Sequence, residues 1–521
     1  MSTPLWITAT PPAPHGELHI GHLAGPYVAA DVLARFLRAD GRPVRFTTGT
    51  ADHAVSVQER ALRTGRKPAE VAEGYHAAIT ADWRRSGITF DHVVQPRHDR
   101  GYLRWVQDLF VRLHAEGVIA PRARLLPYCE PCDRWLYGAR LSGGCPHCGV
   151  TGAGGVCRAC ARPNDCGDLL DPSCDRCGTS ARLRRCRRLY LPLEPFRDTL
   201  ADYWATLALP PRLAALCEGL IEDGLPDVAV GYPGDWGIEV PVEEFADHRI
   251  DACFESAALQ LFGHATRNEP WPERTVHFCG FGHAFCHAVL LPALLLAQGV
   301  KLPQDFLVNE GYRLHDAGTD ETWALDLLTE FGSDTLRRHV LEARPVGRDT
   351  AFDRDRLARA RQVLDGTWNG WLTRLFTAVR EDSAGVVPEV LPGGTGWDVQ
   401  ARRLNRGVDE LREAYSLDSF DPRRAVAMLD EIVRSTADFG HVNDHERRRP
   451  RGDGRHLAPL VAQLGVAAAL TAWARPVMPE GADRLAAALG IAPGGPVTGE
   501  ALAAPPAGTR LAPPSGPVFG F

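Results

Sequence analysis

Two kinds of side chain in this sequence could do chemistry, and their spacing says which. His19 and His22 bracket Ile20 and Gly21, just after an apolar run from Leu5 to Ala9 and a Pro-rich segment from Pro11 to Gly16. From Leu18 to Phe36 apolar residues recur at helical spacing, which predicts strand, loop and helix in succession. A helix starting after a strand offers unpaired N–H groups and the positive end of its dipole, so a polyphosphate is a natural ligand there. Two imidazoles would add donors, and Gly21 lets a flat base approach the backbone. The bland alternative is a pair of ordinary helix-start histidines, because short motifs recur by chance.

The cysteines are the second group. Ten of the fourteen fall between Cys129 and Cys186, and eight of these form the Cys-x-x-Cys pairs Cys129/Cys132, Cys145/Cys148, Cys157/Cys160 and Cys174/Cys177. Each pair is half of a tetrahedral thiolate site for zinc. Disulfides are the weaker alternative in a reducing compartment. The spacing of the inner pairs suggests one site from Cys145, Cys148, Cys157 and Cys160, leaving Cys129, Cys132, Cys174 and Cys177 to close a second around it. Four thiolates leave no open position, so both roles are structural. Cys166 and Cys186 are left over.

These groups need elements to position them. At 521 residues, with 45% hydrophobic and 24% charged residues, the chain is long enough for several globular domains. A net charge of −7 gives no global basic field. Local clusters remain at Arg182, Arg184, Arg185, Arg187 and Arg188 and at Arg447 to Arg449, each expected to be a solvated face. The apolar run Ala288 to Ala297 is too short to cross a bilayer, so no membrane partner and a cytoplasmic location are expected. The expected fold is α/β. A doubly wound nucleotide-binding domain (1–115 and 226–345) is split by a zinc-binding insertion (116–225), then followed by a helical domain (346–480) and a loosely packed Pro/Gly/Ala-rich tail (481–521). Trp368 and Trp371, at helical spacing, read as core.

The run Ile7-Thr8-Ala9-Thr10-Pro11-Pro12-Ala13-Pro14-His15-Gly16-Glu17-Leu18-His19-Ile20-Gly21-His22 resembles the opening of class I aminoacyl-tRNA synthetases, the methionyl group above all. The resemblance continues through Phe46 to Thr50 with Asp52-His53, through Asp235-Trp236-Gly237-Ile238-Glu239-Val240-Pro241, and through Phe278-Cys279-Gly280 with His287. It implies an enzyme that forms an aminoacyl-adenylate from ATP with Mg2+, and a helical domain that reads tRNA. Nested zinc sites in the family support the pairing above, giving two structural Zn2+. By this resemblance His19, Gly21, His22, Gly280 and Gly282 bind nucleotide, with His19 and His22 catalytic. Pro11, Ala13, Ala51, Asp52, Cys253, Ser256, Ala257, Gln260, His283 and His287 surround the amino acid.

The chain departs from the family at informative places. The family's mobile Lys-Met-Ser-Lys-Ser loop corresponds to Gly311 to Thr322, which is acidic and offers only Arg313 and His315 as nearby bases. Asp316, Asp320 or Glu321 holding magnesium is the weaker reading there, behind a solvated loop. Ala51 replaces the Asp that grips the substrate ammonium, with Asp52 as stand-in. Val230 replaces an Arg, Gly280-Phe281-Gly282 replaces a Gly-Lys-Asp turn, and Arg447-Arg448 replace an anticodon-reading Pro-Trp. The leading expectation is therefore a diverged paralogue that activates a small amino acid and passes it to tRNA or a small-molecule acceptor. Natural-product or hydrazine biosynthesis is the expected setting, with a pathway enzyme as partner. An authentic methionine–tRNA ligase and a non-catalytic tRNA- or protein-binding scaffold are the alternatives.

Overall fold

Leu5–Ala9 forms β1, buried along its whole length because it lies at the centre of a parallel sheet covered on both faces. The computed structural model describes residues 4–265, 271–272, 274–300, 302, 305–314, 323–447 and 454–520. Six further strands organise the chain: β2 (Val44–Gly49), β3 (His92–Val94), β4 (Ala120–Cys129), β5 (Arg182–Pro192), β6 (Thr275–Gly280) and β7 (Asp305–Asn309). The main sheet has the order β7-β6-β1-β2-β3, every neighbour parallel. The chain leaves β1 toward β2 on one side and returns through β6 on the other. The β1/β6 boundary is thus the switch point where a doubly wound sheet opens a crevice at its strand ends.

The histidine segment after β1 is not one continuous helix, as the apolar spacing had predicted. Ile20–His22 makes a single turn, Leu23–Tyr27 widens into a π-turn, and only then does α1 (Val28–Ala39) run regularly. Pro26 inside the π-turn has no N–H to donate, and the backbone bends at Gly25.

β4 and β5 pair antiparallel from Arg182↔Tyr128 to Tyr190↔Ala120 and carry the cysteine-rich insertion at their far ends. The first arginine cluster lies on β5, and its members are not all solvated. Arg188 is fully buried on Asp165 at 2.8 Å, while Arg182 and Arg184 pair with Glu130 and Arg187 with Glu244. The second cluster lies at or beyond the edge of the described residues.

α2 (Ala252–Ala265) precedes β6, and a helical region follows β7: α3 (Ser333–Glu342), α4 (Gly370–Ser383), α5 (Trp397–Tyr415), α6 (Pro422–Arg447), α7 (Ala458–Trp473) and α8 (Pro479–Leu489). These helices share one hydrophobic core with β1 and α1. Trp368 and Trp371 lie inside it, donating to Asp430 and Gln463 at 2.9 and 3.0 Å, as their spacing implied. Residues 455–473 are long and apolar enough to span a bilayer, but 83% of that window is buried in the protein, the signature of a core helix.

The tail is not loose. α8 runs across its expected start at 481, and Phe519 is fully buried edge-to-face on Trp368, with ring centroids 4.8 Å apart. Asn369 accepts from the Val518 and Phe519 N–H groups at 3.0 Å and donates to the Phe519 carbonyl at 2.8 Å. Composition argued for loose packing, but Val518 and Phe519 are buried against the helical core.

Candidate active site

The residues expected to bind nucleotide gather at the β1/β6 switch point. His19 caps the turn after β1: the Gly21 N–H donates to His19 Nδ1 at 3.1 Å, and the His19 N–H donates to His22 Nδ1 at 3.2 Å. In each ring a backbone donor occupies Nδ1, so the neutral imidazole carries its proton on Nε2. The rings are tilted by 38° with centroids 3.8 Å apart. Burial, His15 and Arg158 lower His19 to about 4, and burial first, then His19 itself, lowers His22 far below the ordinary imidazole range. Two neutral Nε2–H donors at a helix N-terminus suit an oxyanion of a phosphate without requiring a protonation change.

β6 supplies the opposite wall. Gly280 ends the strand and Phe281–His283 forms one 3-10 turn. His283 is exposed to solvent, and the protein packed around its ring, with Arg158, lowers it to about 4. Gly282 does not face open space: a Cβ there would lie 3.0 Å from the Arg158 carbonyl oxygen. The insertion covers this glycine, so the space expected for nucleotide there is partly filled by the protein itself.

Three of the residues assigned to the amino acid, Gln260, His287 and Asp52, enter two buried networks. His287 Nε2 is 3.0 Å from Thr10 Oγ1, whose hydroxyl donates to the Phe278 carbonyl at 3.3 Å, so Nε2–H is the donor. Nδ1 then accepts from Gln260 Nε2 at 3.1 Å, which leaves the buried Gln260 Oε1 without a partner. The second network joins Asp52, His53, Tyr102 and Glu255. His53 Nδ1 lies 2.7 Å from Glu255 Oε1, and the Tyr102 hydroxyl donates to the same oxygen at 3.2 Å. Burial alone would lower His53, but Glu255 beside it raises it. Burial raises Asp52 against a hydrogen bond from Thr50, and its Oδ1 is buried without a partner. Ala51 donates its N–H to the Pro12 carbonyl at 2.9 Å, which holds Asp52 beside the Pro11–Ala13 loop.

Sequence reasoning missed Glu255, Tyr102 and Thr10. An apolar-flanked Glu255 on α2 was the available signal. Cys253, expected beside the amino acid, is joined to Cys286 in a disulfide with Cα atoms 6.0 Å apart. Cys253, Ser256, Ala257 and Gln260 do share one stripe of α2, facing the segment that carries Cys286 and His287. Arg313 lies exposed on a two-residue strand, Tyr312–Arg313, while His315 to Thr322 fall outside the described residues.

The eight cysteines make two clusters with the pairing read from their order: Cys129, Cys132, Cys174 and Cys177, and Cys145, Cys148, Cys157 and Cys160. Bonds of about 2.3 Å in a tetrahedral site set ligand sulfurs about 3.8 Å apart. The sulfurs of Cys129 and Cys177, Cys132 and Cys174, Cys145 and Cys160, and Cys148 and Cys157 are 3.5, 3.9, 3.8 and 3.7 Å apart. That geometry fits a four-thiolate metal ion in each cluster.

The family profile described as "tRNA synthetases class I (M)" matches residues 5–375. A methionine–tRNA ligase of Thermomicrobium roseum is 29% identical over 450 residues, covering 81% of this chain and 76% of that protein. One of Methanobrevibacter smithii is 27% identical over 401 residues, 74% of this chain and 60% of that protein. The chain therefore spans less than two thirds of some of these relatives. Mycobacterium tuberculosis methionyl-tRNA synthetase bound by methionyl-adenylate superposes with a TM-score of 0.80 at 22% identity, covering 99% of this chain and 100% of that one.

Proposed function

Since this chain belongs to the class I tRNA synthetases of the methionyl group, we propose that it joins an amino acid to ATP as an aminoacyl-adenylate. The observation that carries this reading is the pair of neutral imidazoles at the helix start, both held with Nε2–H outward at the sheet's switch point. ATP supplies the adenylyl group: the amino-acid carboxylate oxygen attacks the α-phosphorus, the bond to the β-phosphate oxygen breaks and pyrophosphate leaves, while the two Nε2–H donors would stabilise the charge on the phosphates. Asp52, with a buried oxygen lacking a partner, is the group for the substrate ammonium. Zinc is the ion of choice for the two thiolate clusters, as a structural element.

For the finer reading, the relatives favour methionine as the amino acid and tRNA as the acceptor, because methionine–tRNA ligase is the name they carry. This reverses the order set by the sequence, which put a diverged paralogue first. The comparisons contain no sign of natural-product or hydrazine chemistry or of a pathway partner enzyme.

One observation keeps a second substrate class in play. Gln260 Oε1 is a buried acceptor without a donor, and a thioether has no hydrogen to give it, whereas a hydroxyl, amide or ammonium side chain does. Amino-acid-dependent ATP–pyrophosphate exchange separates the cases, run with methionine, glycine, homoserine and glutamine and followed by transfer to tRNA. Methionine-dependent exchange with charging of methionine tRNA supports the ligase of the relatives. Exchange only with donor side chains supports the second class. Absence of exchange with every substrate refutes adenylation.

A further inference from the structure

The loop between Cys157 and Cys160 lies on the nucleotide crevice. A Cβ at Gly282 would meet the Arg158 carbonyl oxygen at 3.0 Å, its Cα at 3.2 Å and its Cβ at 3.3 Å, so the backbone of the loop is pressed onto the turn after β6. Arg212 fastens it there. Its Nη2 donates to the Ala159 carbonyl at 2.6 Å, its Nη1 pairs with Glu310, the residue after β7, and its guanidinium lies 3.8 Å over the Phe281 ring. The loop is thus docked to the ends of both strands that form one side of the crevice.

Arg158 sits at the tip of this docked loop. It is exposed, and among the described residues its guanidinium has no hydrogen bond or ion pair, whereas Arg162 and Arg212 nearby are both paired. Its charge reaches His19, His22 and His283, adding in each case to the effect of burial in holding the imidazole neutral. An unpaired guanidinium beside three imidazole rings, at a helix start that also repels cations, is electrostatically unsatisfied until an anion arrives.

We propose that Arg158, held between Cys157 and Cys160 of the inner cysteine cluster, is a phosphate-binding residue that engages the triphosphate of ATP opposite His19 and His22. The inference rests on the adenylation reading. It supplies a cation that the segment Gly311 to Thr322 does not, since that segment carries Asp316, Asp320 and Glu321 against the single guanidinium of Arg313. A guanidinium is suited to the task because its fork matches two phosphate oxygens at once, and a metal ion held by Cys157 and Cys160 would stiffen the loop that carries it. The cysteine cluster then has a functional consequence beyond stabilising the insertion: it places a charge.

The test compares two ligands on the full-length, zinc-loaded protein by calorimetric titration: the magnesium complex of adenosine 5′-(β,γ-imido)triphosphate, and adenosine, which has no phosphates. In Arg158→Ala the triphosphate should bind at least about tenfold more weakly, the size of one lost charged hydrogen bond, while adenosine affinity stays unchanged. Arg158→Lys should recover part of that loss, because a lysine keeps the charge without the fork. Zinc content and melting temperature, measured on each variant, should match the parent. Unchanged triphosphate affinity in Arg158→Ala overturns the proposal, as does an equal loss for both ligands, which would mark a packing role. A parent protein that binds neither nucleotide refutes the adenylation reading itself, and Arg158 falls with it.

Discussion

His19 and His22 show how a backbone can fix the chemistry of a side chain. Each accepts an N–H at Nδ1, and each must therefore present Nε2–H to whatever occupies the crevice. His19, lowered to about 4, is neutral in the fold while the unfolded chain titrates near 6.5. Its contribution to stability is therefore complete above about 6.5 and is lost as pH falls toward 4. The same shift keeps the His19 ring neutral between pH 8 and 6, a range in which ordinary imidazoles would charge. The His19 ring resonances followed by NMR on the ligand-free protein should stay flat across that range, and a step near 6.5 would contradict the neutral assignment. Replacing both histidines by alanine should cost exchange activity about 100-fold or more, the scale of losing preorganised donors. At Gln260 the prediction concerns selectivity. If the unpartnered Oε1 serves a donor side chain, Gln260→Leu should lower kcat/KM for that substrate by tenfold or more and change that for glycine little.

At the scale of elements, two staples hold the crevice. The docked loop between Cys157 and Cys160 is one, and chelation should release about two zinc ions per chain, one for each cluster of four thiolates. Cys145→Ser with Cys148→Ser should remove one of the two, measured by metal analysis, and leave the main sheet folded. The other staple is the disulfide between Cys253 and Cys286, which links α2 to the segment carrying His287. It closes a loop across a sequence separation of 33 residues. Chain entropy for such a loop amounts to about 3–4 kcal/mol, so Cys253→Ser/Cys286→Ser should lower the melting temperature under oxidising conditions. Under reducing conditions parent and variant should melt together. Thiol counting on the denatured, metal-free parent should then rise by two after reduction. None of this staple was legible in sequence, because the spacing of lone cysteines says nothing about which helix faces will meet.

For the whole molecule, the helical region is not a separate appendage. Arg337 on α3 is fully buried and gives its guanidinium to Asp31 on α1 at 2.7 Å, to the Ser86 carbonyl at 3.0 Å, and to the Pro476 and Val477 carbonyls before α8. One side chain thus ties the nucleotide-binding half to the C-terminal helices. Arg337→Ala leaves Asp31 and three carbonyls with lost partners and should cost about 3–5 kcal/mol in denaturant unfolding. Phe519 closes the same core, and a Cβ on Gly481 would meet its ring at 2.2 Å, so glycine is required in α8 at that position. Phe519→Ala should destabilise by about 3–5 kcal/mol, and a change below 1 kcal/mol would show that the tail is peripheral after all.

The sequence by itself determined what is local: β1 and the helix start after it, the order of elements in the sheet, four cysteine pairs with their nesting, and two histidines at the end of β1. Each depends on a period of two or 3.6 residues, or on a fixed x-x spacing, which the chain carries wherever it is placed. Only the tertiary structure decided the rest. Pro26 interrupts a helix that hydrophobic spacing runs through. Glu255 and Tyr102 join Asp52 from different elements, and Cys253 finds Cys286. A tail with the composition of a linker is packed by Phe519, and Arg158 comes from the insertion to the mouth of a crevice built by β1 and β6. These outcomes depend on which distant surfaces are brought together, and burial and charge pairing across such surfaces leave no periodic trace in a single chain.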